Sequence, residues 1–193
     1  VLAGDFDQAE AEQLIGDYFG SIPSNGTPPL LAQAIDRTPL LHYGRRRRIH
    51  RDNIPFNGVF LGYHVPSVTD PDFPAVDLIA SILADGESSR LYRKLEYSMQ
   101  IASEAEAFVD DGEFGSMLYL YAIGQNKRVG IAALEKALRG ELASLANDGV
   151  SKRELEKVRN RKVTRIAHSL QSISNRAERL AWFTTVLNQP NLA

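Results

Sequence analysis

The chain contains no cysteine. Disulfides, thiolate zinc sites and cysteine nucleophiles are excluded together, while the compartment stays open, because cysteine-free proteins occur in both reducing and oxidising spaces. An excess of one charge is also missing. The 22 basic and 24 acidic side chains leave a net −2, so the molecule as a whole is not built to neutralise a polyanion. No apolar run approaches the roughly 18 residues of a membrane-spanning helix. The opening, Val1-Leu2-Ala3-Gly4-Asp5-Phe6, has no basic stretch ahead of it and meets an acid at once, unlike a signal peptide. With no initiator methionine, the chain is expected to begin inside a longer polypeptide.

Histidine is scarce too. The four are His42, His50, His64 and His168. None has another three to five residues away, so neither orientation of the zinc-peptidase helix motif is present. His50 and His64 can be imagined meeting across neighbouring strands, but a strand histidine is more often an ordinary surface residue. There is no Gly-x-Ser-x-Gly elbow, phosphate loop or dinucleotide fingerprint. Ser88-Ser89-Arg90 offers hydroxyls with no base nearby in sequence, and helix capping accounts for them. The sequence therefore predicts no catalytic residue and no metal ligand in this chain, and hence no cofactor of its own.

What is present is a core-forming composition, 44% hydrophobic and 24% charged, over 193 residues. Val1 to Phe6 reads as a short strand. Asp7, with Glu10 in capping-box spacing, opens a helix whose stripe is Leu14, Ile15, Tyr18 and Phe19, and Gly20 ends it. Pro23 to Pro29 is loop by composition. Val59 to Val65 carries bulk on both faces and predicts a central strand. Asp70-Pro71 predicts the start of a helix buried through Phe73, Val76, Ile79, Ala80 and Leu83. Ser88 or Ser89 is expected to cap the next, carrying Leu91, Tyr92 and Leu95.

Ile101–Val109 and Phe114–Ile123 read as a hairpin joined by Asp110-Asp111-Gly112-Glu113. Asn126 is expected to cap a helix with Leu134, Leu138, Leu142 and Leu145, ended by Asn147-Asp148-Gly149. Ser151 and Glu154 form a second capping box, and Ser169 to Ser174 is expected to bend or divide the long helix that follows. The order of elements describes an α+β fold: a two-layer sandwich with a mixed, mostly antiparallel sheet covered by helices.

One run looks like a partner site. Arg45, Arg46, Arg47 and Arg48 in succession can bind phosphates, acidic peptide or an anionic surface. The plainer reading, an edge strand whose charges block aggregation, is favoured because the net charge is −2 and no aromatics interleave.

Several local matches, in order along nearly the whole chain, resemble one family. Val1-Leu2-Ala3-Gly4-Asp5-Phe6-Asp7 is similar to its V-x-G-D-F opening. Tyr18-Phe19-Gly20-Ser21-Ile22-Pro23 is similar to the YFG-x-IP that closes its first helix. Gly62-Tyr63-His64-Val65-Pro66 with Asp70-Pro71-Asp72 resembles its G-x-x-x-P passage, and Ser88 to Leu95 its SSRLYxxL helix. The family is that of the pitrilysin/insulinase-type zinc peptidases, and the part resembled is the non-catalytic second domain of a half-length molecule. The resemblance implies that residues 1–193 are one such domain, cut from a longer polypeptide at both ends. It also implies a first domain or partner subunit carrying His-x-x-Glu-His, where zinc and the general base reside, and a chamber between the two that takes peptides.

In many such enzymes the non-catalytic half supplies an arginine and a tyrosine seven positions apart. Arg90 and Tyr97 have that spacing, whereas anchoring on Ser89-Arg90-Leu91 puts the pair at Glu96 and Ser103. The leading expectation is the substrate-chamber half of a zinc endopeptidase, inactive alone. The alternative is a structural partner subunit kept for assembly, and an anion-binding module built on Arg45–Arg48 comes last. No nucleic acid and no transmembrane segment are expected. Dimerisation is expected as one way of covering exposed apolar surface. By resemblance only, the compartment is bacterial periplasm or cytoplasm.

Overall fold

The computed structural model describes residues 1–23, 26, 44–112 and 115–192. His42, most of the Pro23–Pro29 loop, and Glu113 and Phe114 of the hairpin lie outside the described residues. The chain divides into two compact units, one formed by Val1–Asp36 with Arg165–Ala193 and the other by Arg37–Thr164.

The second unit holds the sheet. Strands β1 (Gly58–Val65), β2 (Ala102–Asp110) and β3 (Ser116–Gly124) pair antiparallel in the order β1-β3-β2. β2 and β3 form the expected hairpin, and β1 lies on the far side of β3, with Leu61 opposite Leu120. Among the described strands β1 is thus an edge strand, not the central one its composition predicts. Its bulk on both faces has a different cause: Val59 and Leu61 are buried, while Phe60 on the other face is exposed.

Among the described residues of this unit, helices cover one face of the sheet. Helix α2 (Phe73–Ala84) packs against β2, and helix α3 (Ile131–Asp148) against β1 and β3. The layer between them is aliphatic and dry, with Leu83, Leu91, Leu95, Leu120, Leu134 and Leu138 at or near zero exposure. Each such side chain contributes about 1.5–3 kcal/mol by leaving water. The arrangement is the α+β two-layer sandwich that the order of elements predicts.

Several helix starts fall elsewhere than the sequence places them. Asp70-Pro71 does not open α2. Asp70 accepts from the Asp72 amide at 2.9 Å and closes a turn, and the helix begins at Phe73 with Pro74 in its first turn. Asn126 likewise folds a turn, its side chain accepting from the Arg128 amide at 2.9 Å, and Gly130 precedes α3. In both cases the acid or amide satisfies a nearby turn amide first, a competing use of the same short side chain.

Ser88 and Ser89 cap nothing by side chain. Ser88 accepts from Lys157 Nζ at 2.9 Å, and the Ser89 hydroxyl is buried without a partner. The helix they precede widens into a seven-residue π helix, Tyr92–Ser98, a geometry rare in proteins and frequent at functional sites.

The Ser151–Glu154 capping box forms as expected at the start of helix α4 (Lys152–Ser169). Glu154 accepts from the Ser151 amide at 2.9 Å, and Ser151 Oγ accepts from the Glu154 amide at 3.3 Å. Gly86, after α2, has φ +81 and lies under Arg161, whose guanidinium would stand 2.6 Å from an added Cβ. Only glycine fits both the conformation and the contact.

In the first unit, helix α1 (Gln8–Phe19) has Asp7 as its cap, accepting from the Glu10 amide at 2.9 Å. Helix α5 (Ile173–Thr185) is capped by Ser172, so the serine-rich stretch does divide the two last helices. Val1 to Phe6 is not a strand. Val1–Gly4 instead flanks a shallow recess with Ile173, Ala177 and Leu180 of α5, and a lone extended segment beside a helix has no ladder to join.

Candidate functional site

The four residues singled out from sequence fall on two surfaces. Arg90 and Tyr97 line one open groove of about 960 Å³, between the π helix and the junction of α3 with α4. Arg90 is committed within it. Its Nε donates to Glu154 Oε1 at 2.8 Å, and its Nη2 donates to Glu154 Oε2 at 3.1 Å and to the Gly149 carbonyl at 2.8 Å. The hydrogen bond from Arg90 holds the Glu154 carboxyl down at about 2, helped by the Ser151 amide and hydroxyl, and raises the guanidinium in turn. Tyr97, by contrast, is 76% exposed.

Glu96 and Ser103 lie at the β2 side of the sheet. Glu96 accepts from the Ala105 amide at 2.9 Å, beside the register shift between Ala102 and Glu104. Burial, then the charge of Glu104, raises its carboxyl, against the pull of that amide. Ser103 is exposed and donates to the Ile123 carbonyl at 3.4 Å. Hydrogen bonds bring neither pair together.

The Arg45–Arg48 run is extended but forms no strand. Arg45 and Arg47 reach Glu135 on α3 at 2.7 and 3.1 Å, and Arg139 joins from the same helix at 3.0 Å. Arg139's hydrogen bond, then the Arg47 and Arg45 charges, lower the Glu135 carboxyl. Part of the basic run is thus spent on one buried-side acid rather than held for a polyanion. His50 lies with this segment near the start of β1 and His64 near the end of that strand. Among the described residues no group of His, Cys, Asp and Glu fits a metal ion, so zinc has no fitting donor set there. No described helix is long and apolar enough to cross a membrane.

The feature that sequence reading missed is the uncovered face of the sheet. Phe60 is 69% exposed and stacks on Tyr121 with centroids 5.2 Å apart. Phe108 stacks on Tyr119 at 5.3 Å and meets Tyr121 edge-on at 6.5 Å. Gly62, opposite Tyr119 in register, makes this possible. An added Cβ would stand 3.2 Å from the Tyr119 ring, so the missing side chain lets that ring lie flat across β1. The result is a continuous floor of rings.

Acids border that floor. The Tyr121 hydroxyl donates to Glu104, and this bond, with burial and the Glu104 and Glu106 charges, pushes the phenol up to about 12. The Glu106 carboxyl is raised first by desolvation, then by the charges of Glu104, Glu96 and Asp85. Once the register is known, the outward positions of all three strands are seen to carry an aromatic where a solvated face carries polar residues.

Residues 1–162 match the family model of the peptidase M16 inactive domain. The zinc protease PqqE of Helicobacter pylori is 25% identical over 175 residues, which is 91% of this chain and 39% of that protein. This chain therefore spans well under half the length of that curated relative. A crystal structure of a protease from Helicobacter pylori superposes with a TM-score of 0.77 at 23% identity, over 96% of this chain and 44% of the other. The inactive peptidase domain of a protein assigned as a zinc protease in Bordetella parapertussis superposes at 0.61 and 29% identity, over 69% of this chain and 71% of the other. The resemblance seen in the sequence is borne out: the chain belongs to the peptidase M16 inactive-domain family, the non-catalytic domain of zinc-protease-like proteins.

Proposed function

We propose that this chain is the supporting half of a zinc-dependent endopeptidase, and that its open sheet face forms one wall of the space in which peptide is held. The observation that carries this reading is the ring-covered face itself. Soluble proteins seldom leave contiguous aromatic surface uncovered unless something binds there. The helices that would hide it pack on the other side. Zinc and the general base belong, on this reading, to a catalytic domain or subunit bearing His-x-x-Glu-His, for which the greater length of the relatives leaves room. Of the pair Arg90 and Tyr97, Tyr97 is the one exposed to meet substrate, and Arg90 acts as a strut.

Zinc content and cleavage of an unstructured peptide, measured on this chain and on the natural polypeptide with its catalytic partner, test the proposal. Zinc with chelator-sensitive cleavage is expected only where the catalytic half is present. Stoichiometric zinc and cleavage in this chain alone would overturn it. Neither activity in the complete assembly would make the chain a structural subunit instead.

A further inference from the structure

The open face sorts its chemistry by strand. β1 and β3 bring the rings of Phe60, Tyr119 and Tyr121. β2 brings Phe108 and all the carboxylates, Glu104, Glu106 and Asp110. With three acids and no lysine or arginine at the outward positions of the three strands, and histidine left out of the count, those positions sum to a formal −3. In register, Glu106 stands beside Tyr121, which stands beside Phe60, so one row across the sheet reads acid, ring, ring. The next outward row reads Phe108, Tyr119, Gly62 and is wholly uncharged.

Among the described residues, no basic side chain is seen to pair with Glu104 or Glu106. Every charge acting on Glu106 is another acid, and Glu104 is bonded to a neutral phenol. Exposed ring faces attract cations through their quadrupoles, and a guanidinium can lie on a ring while its rim donates to a carboxylate. The two rows are two residues apart along each strand, roughly 7 Å, which matches the spacing of side chains i and i+2 in an extended peptide.

We propose that this face selects extended peptide carrying arginine or lysine, with the cation on the Phe60–Tyr121 rings and its charge met by Glu106 and Glu104, and an apolar side chain two positions along on Phe108–Tyr119. The proposal rests on the peptide-facing role given to the sheet above and adds its specificity. A cationic side chain is preferred over any isosteric neutral one. Arginine is preferred over lysine, because only a planar group stacks and donates at once.

Fluorescence anisotropy with this chain and three labelled glycine/serine peptides tests it. The peptides are identical except for an Arg-x-Leu, Gln-x-Leu or Glu-x-Leu segment. The arginine peptide is expected to bind about tenfold more tightly than the glutamine one, and the glutamate peptide most weakly. The double substitution E104Q/E106Q should erase the arginine advantage while leaving the glutamine peptide unchanged. Phe60→Ala, at a ring 69% exposed, should weaken both. Equal binding of arginine and glutamine peptides, both weakened by Phe60→Ala, would overturn the selectivity while leaving a peptide-facing sheet. Binding of every peptide indifferent to Phe60→Ala would overturn the selectivity together with the role of the face. An arginine advantage that survives E104Q/E106Q would place the charge elsewhere and overturn the assignment of these acids.

Discussion

Helices α1 and α3 are built by the same local rules and end in opposite circumstances. Each has a defined start and an apolar stripe at helical spacing. In α3 the stripe vanishes into the core, with Leu134 and Leu138 fully buried. In α1 no residue is buried, and Tyr18 is 73% exposed. The same holds for α5, whose Trp182 and Phe183 pack on each other, with Arg179 over the Phe183 ring at 4.8 Å, yet never leave the surface. Caps and periodicity decide that a helix forms. Whether its stripe becomes core depends on a second apolar surface arriving from far along the chain.

Core truncation should separate the two units most strongly. Leu120→Ala or Leu138→Ala should cost about 3 kcal/mol in urea unfolding, through lost burial and an unfilled cavity. Leu14→Ala on α1 should stay within about 0.5 kcal/mol. Comparable losses at both kinds of site would mean that the α1 stripe is covered in solution.

A smaller effect is expected at the ion pair that ties the π helix to the start of α4. Arg90→Ala should cost about 1–2 kcal/mol, the scale of charge-assisted hydrogen bonds in a partly solvated pair. Because the Glu154 carboxyl is held at about 2 against an ordinary 4.5, its contribution is complete above pH 4.5 and drains away as pH falls toward 2. Glu154→Gln should flatten the stability curve within that window and lower it by a constant amount above pH 6. An unaltered acid limb would show that other carboxylates set the acid lability.

The smallest effect belongs to Gly86→Ala, about 1 kcal/mol, from a residue forced to positive φ beneath Arg161. A matching loss in Arg161→Ala, with no further loss in the double variant, would assign the cost to that one contact. Additive losses would separate backbone strain from the lost guanidinium contact.

The parts of this structure legible in the sequence are those fixed within a few residues. The Ser151–Glu154 box, the Asp7 cap, the break before α5 and the β2–β3 hairpin all formed as read. What the sequence hid depends on distant partners or on competing local bonds. Asp70 and Asn126 have the chemistry of helix caps but spend it on turns. Phe60 looks like core until the register shows which face of β1 the helices cover. The π helix is hidden more deeply still. Its wider turn puts Glu96 and Tyr97 where a 3.6-residue wheel would not, so spacing alone cannot choose between the pairs Arg90/Tyr97 and Glu96/Ser103.

Glu96 carries one more consequence. A sheet margin with free amides is a template on which another chain can grow, the first step toward fibrils and insoluble aggregates. By taking the Ala105 amide onto its own carboxylate, the π helix removes a rung that an incoming strand would require. The β2 margin is therefore chemically terminated at that point by a side chain of the same molecule. A chain with so much uncovered apolar surface gains from that a measure of protection against self-association through its backbone.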